Sequence, residues 1–251
     1  PCMLAAMAAD VQRVALVTGA AKRVGRAIAE RLAAGGFDVA FTYHSSKREA
    51  DELAKALGNG GRKSRAIKAD LTKPEKAAVR VFEEVSDAFG RLDVLVNNAS
   101  LYEPGRLAEA TADQSRRLHA IHVESPLLLC QRFAPMLRAA KGHVVNMVDL
   151  LAERPWPQYL AYCASKAGLM NLTLGLAREL APDVTVNGIA PGVVEWPADY
   201  PQEERQKYLK RVPLARPGSP EDVAELVHFL CTRGTYITGQ VIRLDGGRSI
   251  T

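Results

Sequence analysis

The sequence predicts a single α/β domain built on a doubly wound, seven-stranded parallel sheet with helices on both faces. Seven short runs rich in β-branched residues recur along the chain, and amphipathic stretches separate them. Most of the runs are apolar throughout, which is typical of parallel strands that helices cover on both sides. Strand–helix alternation of this kind gives right-handed crossovers. The predicted strands are Arg13–Thr18, Asp38–Tyr43, Arg65–Ala69, Asp93–Asn97, Gly142–Val148, Val184–Ile189 and Gln240–Leu244.

The segments between the first strands are predicted to be helices that end at glycine. Gly25–Ala34, Lys47–Leu57 and Pro74–Phe89 contain good helix formers, and a glycine directly follows each of them. No linker or change of composition divides the chain, so we expect one catalytic domain over residues 11–251. Residues 1–10 are mostly apolar without a basic leader, and we interpret them as a disordered extension or a remnant of expression.

Composition narrows the classes of function. The 251 residues are 47% hydrophobic and 24% charged, as in a globular protein with a sizeable core. The net charge is +5, but the 33 Lys and Arg are scattered among 28 acids, which disfavours nucleic-acid binding. No apolar run of about 18 residues is present to span a membrane. The 4 Cys form no CxxC pair or His cluster, so we expect a cytoplasmic protein with reduced thiols and no metal site.

The turn after the first predicted strand is a candidate dinucleotide-binding site. It runs Thr18-Gly-Ala-Ala-Lys-Arg-Val-Gly25 into a helix, so backbone N–H groups and the helix N-terminus can face a pyrophosphate. A tight strand-to-helix connection is the alternative, but a turn in this place in an α/β pattern favours the dinucleotide. The candidate cofactor residues here are Thr18, Gly19, Lys22, Arg23, Val24 and Gly25.

The end of the second predicted strand favours NADP over NAD. An Asp or Glu about 20 residues past a glycine turn holds the ribose 2′-hydroxyl of NAD, whereas basic groups suit the 2′-phosphate of NADP. Asp38 lies at the opposite end of this strand. The alternative role for Ser45 or Ser46, capping of the next helix, is compatible with phosphate binding. The candidate phosphate contacts are Tyr43, His44, Ser45 and Ser46, with Lys22 or Lys47 nearby.

The third and fourth predicted strands also end in polar residues. Asp70, followed by Leu71, could accept a hydrogen bond from an adenine amino group or cap a local turn. The asparagines of Asn97-Asn98-Ala99-Ser100 could tie neighbouring strand ends together or contact a ligand. We include Asp70, Leu71, Asn98, Ala99 and Ser100 among the candidate cofactor residues.

A carboxylate and a Tyr–Lys pair follow the fifth predicted strand. Asp149 ends the strand, and Tyr162 and Lys166 come shortly afterwards in a helical stretch. Residues four apart share one helix face, about 6 Å apart. We expect the Lys166 ammonium to lower the pKa of Tyr162 from its ordinary value near 10. Asp149, Tyr162 and Lys166 are therefore the candidate catalytic residues, with Tyr162 exchanging protons near neutral pH.

Taken together, these motifs resemble the short-chain dehydrogenase/reductase family over nearly the whole chain. The resemblance implies a Rossmann fold, a homotetramer, and hydride transfer between NAD(P) and a carbonyl or imine. It implies Tyr162 as the acid or base, Lys166 on the nicotinamide ribose, and cofactor contacts from Pro191, Gly192 and Val193. The residues that carry it are Thr18-Gly19 with Gly25, Asp70, Asn97-Asn98-Ala99, Tyr162 with Lys166, Asn187, Pro191-Gly192 and Asp245-Gly246-Gly247.

Five departures from the usual family pattern point to one branch of it. Arg23 and Ser100 replace glycines, and Asp149 replaces the catalytic Ser. His122 occupies the position of a supporting Asn. The Thr that usually follows shortly after Pro-Gly is missing, and Trp196 lies nearby instead. With Thr-Gly-Ala-Ala-Lys-Arg, Tyr-His-x-Ser and Val-Asn-Met-Val-Asp, these residues resemble the pteridine reductase branch, which includes bacterial dihydromonapterin and dihydrofolate reductases.

This branch implies NADPH-dependent reduction of a pterin, dihydropterin or dihydrofolate ring. A ketone needs Ser plus Tyr to polarise one oxygen, whereas a pterin presents a ring nitrogen that must gain a proton. Asp149, hydrogen-bonded to Tyr162, could relay that proton or hold the 2-amino-4-oxo edge. We expect Pro191–Arg211 to form a covering loop. The candidate substrate residues are Arg23, Ser100, Tyr102, Asp149, Tyr162 and Trp196.

Simpler interpretations stay open for these side chains and for the function. Asp149 could pair with Arg154, Tyr102 could pack on its own domain, Trp196 could cover the core, and His122 is expected to be structural. The enzymatic alternative is a carbonyl reductase, for example of 3-oxoacyl thioesters, against which the absent Ser argues. A protein that senses NADP(H) without turnover is less favoured, because Tyr162 and Lys166 are intact.

Overall fold

The fold is a seven-stranded parallel sheet, as the sequence predicts. The computed structural model describes residues 12–196 and 200–251, so the predicted extension at 1–10 lies outside the described residues. The strand order is β3-β2-β1-β4-β5-β6-β7, and every pairing is parallel. Each strand lies within two residues of its predicted bounds. The strands are β1 (Val14–Val17), β2 (Asp38–Tyr43), β3 (Ser64–Lys68), β4 (Val94–Asn97), β5 (His143–Met147), β6 (Thr185–Pro191) and β7 (Val241–Leu244).

Helices cover both faces of this sheet. The helices are α1 (Arg23–Ala34), α2 (Lys47–Asn59), α3 (Pro74–Phe89), α4 (Ala112–His119), α5 (Ser125–Ala140), α6 (Leu160–Leu180), α7 (Gln202–Leu209) and α8 (Pro220–Thr232). Helices α1, α2 and α8 pack on one face, and α3, α5 and α6 pack on the other. In the described parts of the chain, no helix combines the length and apolarity needed to cross a membrane.

Two apolar cores explain why the strands are hydrophobic throughout. In β1, Ala15 and Val17 face the core under α1 and α8, whereas Val14 and Leu16 face the core under α3 and α5. All four side chains are fully or almost fully buried. Because successive residues of a strand point to opposite faces, a sheet covered on both sides needs apolar residues at every position.

A π-helical segment joins α4 to α5. Ala120–Glu124 continues the helix with a wider turn, and its central residue, His122, is buried. Insertions of this type inside α-helices are frequent at functional sites. The segment brings His122 beside the residues that follow β4, where its ring lies 2.8 Å from the hydroxyl of Ser100.

Hydrogen bonds tie the carboxyl ends of the central strands together. Asn97 Nδ2 donates to Asn146 Oδ1 on β5 at 2.8 Å. Asn98 Nδ2 donates to the carbonyl oxygen of Thr18 at 2.8 Å, and the Thr18 hydroxyl accepts from the backbone N–H groups of Asn98 and Ala99 at 2.9 Å. The structural role considered for these asparagines is therefore confirmed, and β1, β4 and β5 end at one rigid edge.

Candidate active site

A cleft of about 810 Å³ opens at the carboxyl ends of the strands. Its volume lies within the range of small-molecule sites, and its position beside β1 and β4 is where open α/β sheets bind ligands. The residues predicted to bind cofactor or substrate line it, with two exceptions. Thr18 is buried because its hydroxyl is used between β1 and β4, and Ser46 lies outside the lining. For these two residues, the lining of the cleft gives no support to the predicted cofactor contact.

The glycine turn after β1 fits a pyrophosphate. Gly19 has a φ of +64°, and a Cβ there would lie 2.9 Å from Ala99 Cα. A Cβ on Gly25 would lie 2.5 Å from Asn98 Nδ2. Lys22, the N-cap of α1, makes no side-chain capping bond, so the first-turn N–H groups of α1 remain available to an anion.

The end of β2 presents His44 and Ser45 to the cleft. Ser46 is the N-cap of α2, but its side chain makes no capping hydrogen bond, so the alternative of a Ser46 cap is not observed. Two lysines considered for a 2′-phosphate are engaged elsewhere. Lys22 pairs with Glu49 at 2.7 Å, and Lys47 pairs with Asp51 at 2.6 Å.

Asp70 serves the local turn and also lines the cleft. Its Oδ1 accepts from the Thr72 hydroxyl at 2.7 Å and from the Thr72 backbone N–H at 3.1 Å. Burial opposes ionisation, but these hydrogen bonds prevail and lower the pKa of Asp70 below its usual value. Asp70 is therefore an ionised acceptor beside the cleft.

The carboxylate and the phenol at the end of β5 form a direct pair. The Tyr162 hydroxyl donates to Asp149 Oδ2 at 2.7 Å, while Asp149 Oδ1 accepts the backbone N–H of Leu151 at 2.8 Å. Arg154 makes no ion pair with Asp149 in the described structure, so this alternative is wrong. The second bond fixes the carboxylate, because it caps the short 3-10 turn Leu150–Ala152.

The pKa of Tyr162 differs from the sequence prediction. Burial raises this pKa well above its ordinary value, and the charge of Asp149 raises it further. Lys166 lies with its Nζ 5.8 Å from the centre of the Tyr162 ring and donates to the Met147 carbonyl oxygen at 2.7 Å. Because Tyr162 is only 4% exposed, desolvation and the carboxylate set the direction of the shift. The predicted lowering by Lys166 is wrong, and Tyr162 is a neutral phenol.

Asp149 and Lys166 are perturbed in opposite directions by the same burial. Burial raises the pKa of Asp149 and lowers the pKa of Lys166 to about 8. The attraction between the two charges opposes both shifts but does not cancel them. Both shifts reflect the cost of a charge in a low-dielectric site. The site therefore holds a carboxyl group that is easy to protonate and an amine that is easy to deprotonate.

Hydrogen bonds hold His122 in place through both of its ring nitrogens. Its Nε2 accepts the backbone N–H of Leu101 at 3.3 Å and lies 2.8 Å from the Ser100 hydroxyl. Its Nδ1 lies 2.8 Å from the hydroxyl of Ser165, which in turn donates to the Tyr162 carbonyl oxygen at 2.7 Å. Burial lowers the pKa of His122 to about 2, so the ring is neutral. The expected structural role agrees with these contacts.

Aromatic side chains line the substrate half of the cleft, and we call them the aromatic wall. Tyr102 stacks on Tyr159 at 4.4 Å between ring centres and meets the edge of Tyr162 at 4.9 Å. Tyr208 lies 5.4 Å from Trp196. The sequence pointed to Tyr102 and Trp196 but missed the two tyrosines that hold them. The wall consists of Tyr102, Trp156, Tyr159, Trp196, Tyr200 and Tyr208.

Arg23 reaches across the cleft to a residue that sequence reasoning missed. Its Nε donates to Glu195 Oε2 at 2.5 Å, from a backbone with a φ of +56°. Glu195 lies in the loop after β6, and both side chains are partly exposed. The pair links the glycine turn to the loop that was expected to cover the site.

Comparison with known proteins places this geometry in a family. A model of the enoyl-(acyl carrier protein) reductase family matches residues 19–249. A 3-oxoacyl-[acyl-carrier-protein] reductase of Aquifex aeolicus is 35% identical, with 94% of this chain and 96% of the relative covered. Pteridine reductase 1 of Leishmania tarentolae is 37% identical, with 95% and 96% covered.

Solved structures show the same fold with a bound cofactor. A blue fluorescent protein from a metagenomic library, in complex with NADPH, has a TM-score of 0.89 at 36% identity, covering 94% of this chain and 98% of that one. A short chain dehydrogenase from Burkholderia cenocepacia, in complex with NADP, has a TM-score of 0.89 at 37% identity, covering 95% and 98%. The expected nicotinamide dinucleotide cofactor is thereby confirmed. The chain belongs to the short-chain dehydrogenase/reductase family and is an NAD(P)-dependent oxidoreductase.

Proposed function

We propose that the chain is an NADPH-dependent reductase of pterin rings, acting on a pterin, dihydropterin or dihydrofolate. The observation that carries the proposal is the buried hydrogen bond of 2.7 Å between Tyr162 and Asp149, at the position where carbonyl-reducing members have Ser. A carboxyl group there suits a ring nitrogen that must be protonated. The likeness to the Leishmania tarentolae pteridine reductase supports the proposal.

NADPH, rather than NADH, suits the end of β2. The residues that face the cleft there are Tyr43, His44 and Ser45, none of which would repel a 2′-phosphate. The nearby acid, Glu49, is neutralised by Lys22, and the Lys22 hydrogen bond lowers the pKa of Glu49. The NADPH and NADP complexes of the structural neighbours support the same choice.

The bound cofactor would supply the hydride, and the chain's own residues would orient both reactants. The turn from Gly19 to Gly25 would hold the pyrophosphate against the N-terminus of α1. Lys166 would bind the nicotinamide ribose from the base of the cleft, where its Nζ is fixed by the Met147 carbonyl. Tyr102, half exposed and braced by Tyr159, offers a flat face to a heterocycle.

Proton delivery follows from the Tyr162–Asp149 pair. The neutral phenol donates its proton to the ring nitrogen. Asp149, once it has taken up a proton from solvent in the cleft, returns one to the phenolate and is left as the carboxylate that accepts the Tyr162 hydroxyl. The raised pKa of Asp149 makes that second transfer easier, because a buried carboxyl group holds a proton more readily than an exposed one. Arg23 would reach the pterin oxo group or a cofactor phosphate once it leaves Glu195.

Reduction of a 3-oxoacyl thioester is the second candidate function. The 35% identity to the Aquifex aeolicus reductase favours it, whereas the carboxylate at position 149 disfavours it. A protein that only senses NADP(H) is less favoured, because the two residues expected to carry out catalysis, Tyr162 and Lys166, are both present and line the cleft. A homotetramer and a cytoplasmic location stay predictions from the sequence.

A panel assay of NADPH oxidation separates these candidates. Purified enzyme is given oxidised and dihydro pterins, dihydrofolate and a 3-oxoacyl thioester at matched concentrations. We expect turnover with the pterins. The variant Asp149→Ser should lose more activity on pterins than on the thioester, because Ser can polarise a ketone but cannot supply a proton. Equal losses on both substrates, or turnover of the thioester alone, would contradict the proposal.

A further inference from the structure

Arg248, in the last turn of the chain, is a buried cation with almost none of its hydrogen-bonding capacity used. It is only 7% exposed and lines the cleft. Its Nε has no hydrogen-bond partner, and Nη1 makes one long bond of 3.4 Å to the main-chain oxygen of Thr251. A guanidinium has five N–H donors and stays charged in proteins. Because burying an unpaired charge is costly, an unsatisfied group of this kind calls for a partner.

The neighbours of Arg248 are aromatic and basic. Its Cζ lies 5.6 Å from the centre of the Tyr208 ring. Arg154 lines the same cleft as Arg248. Burial lowers the pKa of Arg248, and the positive charges of Arg211 and Arg154 lower it further. Asp245 opposes that shift, but its carboxylate oxygens already accept two backbone N–H groups at 3.0 and 2.7 Å. Within residues 12–196 and 200–251, none of the three arginines forms an ion pair with a side-chain carboxylate.

The aromatic wall connects this basic cluster to the catalytic pair. Tyr162 lies 6.4 Å from Tyr159 between ring centres, Tyr159 lies 6.4 Å from Trp156, and Trp156 lies 6.4 Å from Tyr208. The guanidinium of Arg248 lies beside the Tyr208 ring, and both residues line the cleft. A ligand that lay along the wall with its reacting ring at Tyr162 would bring its other end to the arginines.

We propose that Arg248, assisted by Arg154, binds an anionic tail of the substrate at the end opposite the reduced ring. The tail is a carboxylate or phosphate, either of which matches the planar fork of a guanidinium. The inference rests on the proposed function and deepens it. A folate, with its glutamate carboxylates, would be preferred over a pterin with a neutral side chain.

Substrate pairs test the subsite through a ratio of rates. We compare kcat/KM for dihydrofolate with that for dihydrobiopterin, whose side chain is neutral, in wild type, Arg248→Met and Arg248→Lys. Methionine keeps an apolar stem in the buried position, which preserves the packing. We expect Arg248→Met to lower the ratio of the two kcat/KM values roughly 10- to 100-fold, mainly by raising the KM for dihydrofolate. This is the loss expected when hydrogen bonds to a charged group are removed. Lys should restore part of it. Arg80 is exposed on α3 and lies outside the cleft. The control variant Arg80→Met removes the same charge there and should leave the ratio unchanged.

Two further measurements identify the tail and separate this inference from the proposed function. Inhibition by p-aminobenzoylglutamate reports a carboxylate site, and turnover of acetoacetyl-coenzyme A reports a phosphate site. If only the thioester is turned over and Arg248→Met weakens it, the anion subsite holds and the pterin proposal fails. If pterins are reduced but Arg248→Met changes both kcat/KM values equally, the subsite is refuted. A change of oligomeric state with no change of the ratio also refutes it, since Arg248 would then serve a subunit contact.

Discussion

Removing the Tyr162 hydroxyl is the most direct test of the proton path. In Tyr162→Phe the ring keeps its place in the aromatic cluster, but the donor to Asp149 Oδ2 at 2.7 Å is lost. The ring nitrogen of the substrate then has no phenolic proton. We expect turnover to fall while NADPH still binds, because the pyrophosphate turn and Lys166 are unaffected.

The size of the loss follows from burial. A positioned acid contributes roughly 10²- to 10⁴-fold, equivalent to about 2.7–5.4 kcal/mol of activation free energy. Tyr162 is only 4% exposed, so bulk water has little access to replace the phenol. Asp149 stays close enough to deliver some protons directly. We therefore expect kcat to fall by at least about 100-fold but by less than the upper limit of about 10⁴-fold.

Single-turnover decay of NADPH absorbance measures the chemical step, and a fluorescence titration measures NADPH affinity. Tyr236→Phe is the matched control, because Tyr236 is fully exposed and lies outside the cleft. Thermal unfolding shows whether Tyr162→Phe is folded at the assay temperature. Single-turnover rates within about threefold of wild type, with a folded protein, would refute Tyr162 as the proton donor.

The remaining predictions concern charges around the same pair. Because burial raises the pKa of Asp149, its contribution to stability is present below about pH 4 and is lost as pH rises through the folded-state pKa. Asp149→Asn should therefore stabilise the protein at pH 7 by about 1 kcal/mol, or about 2–4 °C in Tm, with little gain at pH 4; equal gains at both would contradict this. Pterin reduction should slow as pH rises, because Asp149 must be protonated to return a proton to Tyr162. If the pH–rate profile of Asp149→Asn keeps the same fall at high pH, Asp149 is excluded as the cause of that fall. Glu195→Gln should free Arg23 and lower the substrate KM by at most about fivefold, as expected for a partly exposed pair, with kcat unchanged; a raised KM would show that Glu195 itself binds substrate.

The sheet was predictable from the sequence because its strands are buried on both faces. Val14–Val17 is apolar at every position, and glycines such as Gly90 mark helix ends directly. The Asp149–Tyr162 contact was predictable as well, because a strand end and the next helix must meet at one edge of the sheet. These features depend on local patterns and topology.

The electrostatics of the site could not be obtained in this way. The direction of the Tyr162 pKa shift depends on how much water the fold removes, and residue spacing carries no measure of burial. Glu195 meets Arg23 across 172 residues of chain, and Arg248 becomes buried only when the last turn packs beside Tyr208. Such contacts are set by loop conformation, which no periodicity encodes.

The protonation state of the buried pair is consistent with the proposed role as a reductase. An enzyme that oxidises an alcohol needs a base, so a lowered Tyr pKa would serve it, whereas a reductase must keep a proton ready for its substrate. Here burial and the neighbouring carboxylate raise the pKa of Tyr162 and so keep its hydroxyl protonated. The lowered pKa of Lys166 reduces the positive charge that would favour a phenolate. Replacing Asp149 by a neutral Ser would remove the carboxylate's part of that effect. In the ligand-free site the carboxylate thus helps to keep the phenol protonated, which suits the proposed role as a reductase.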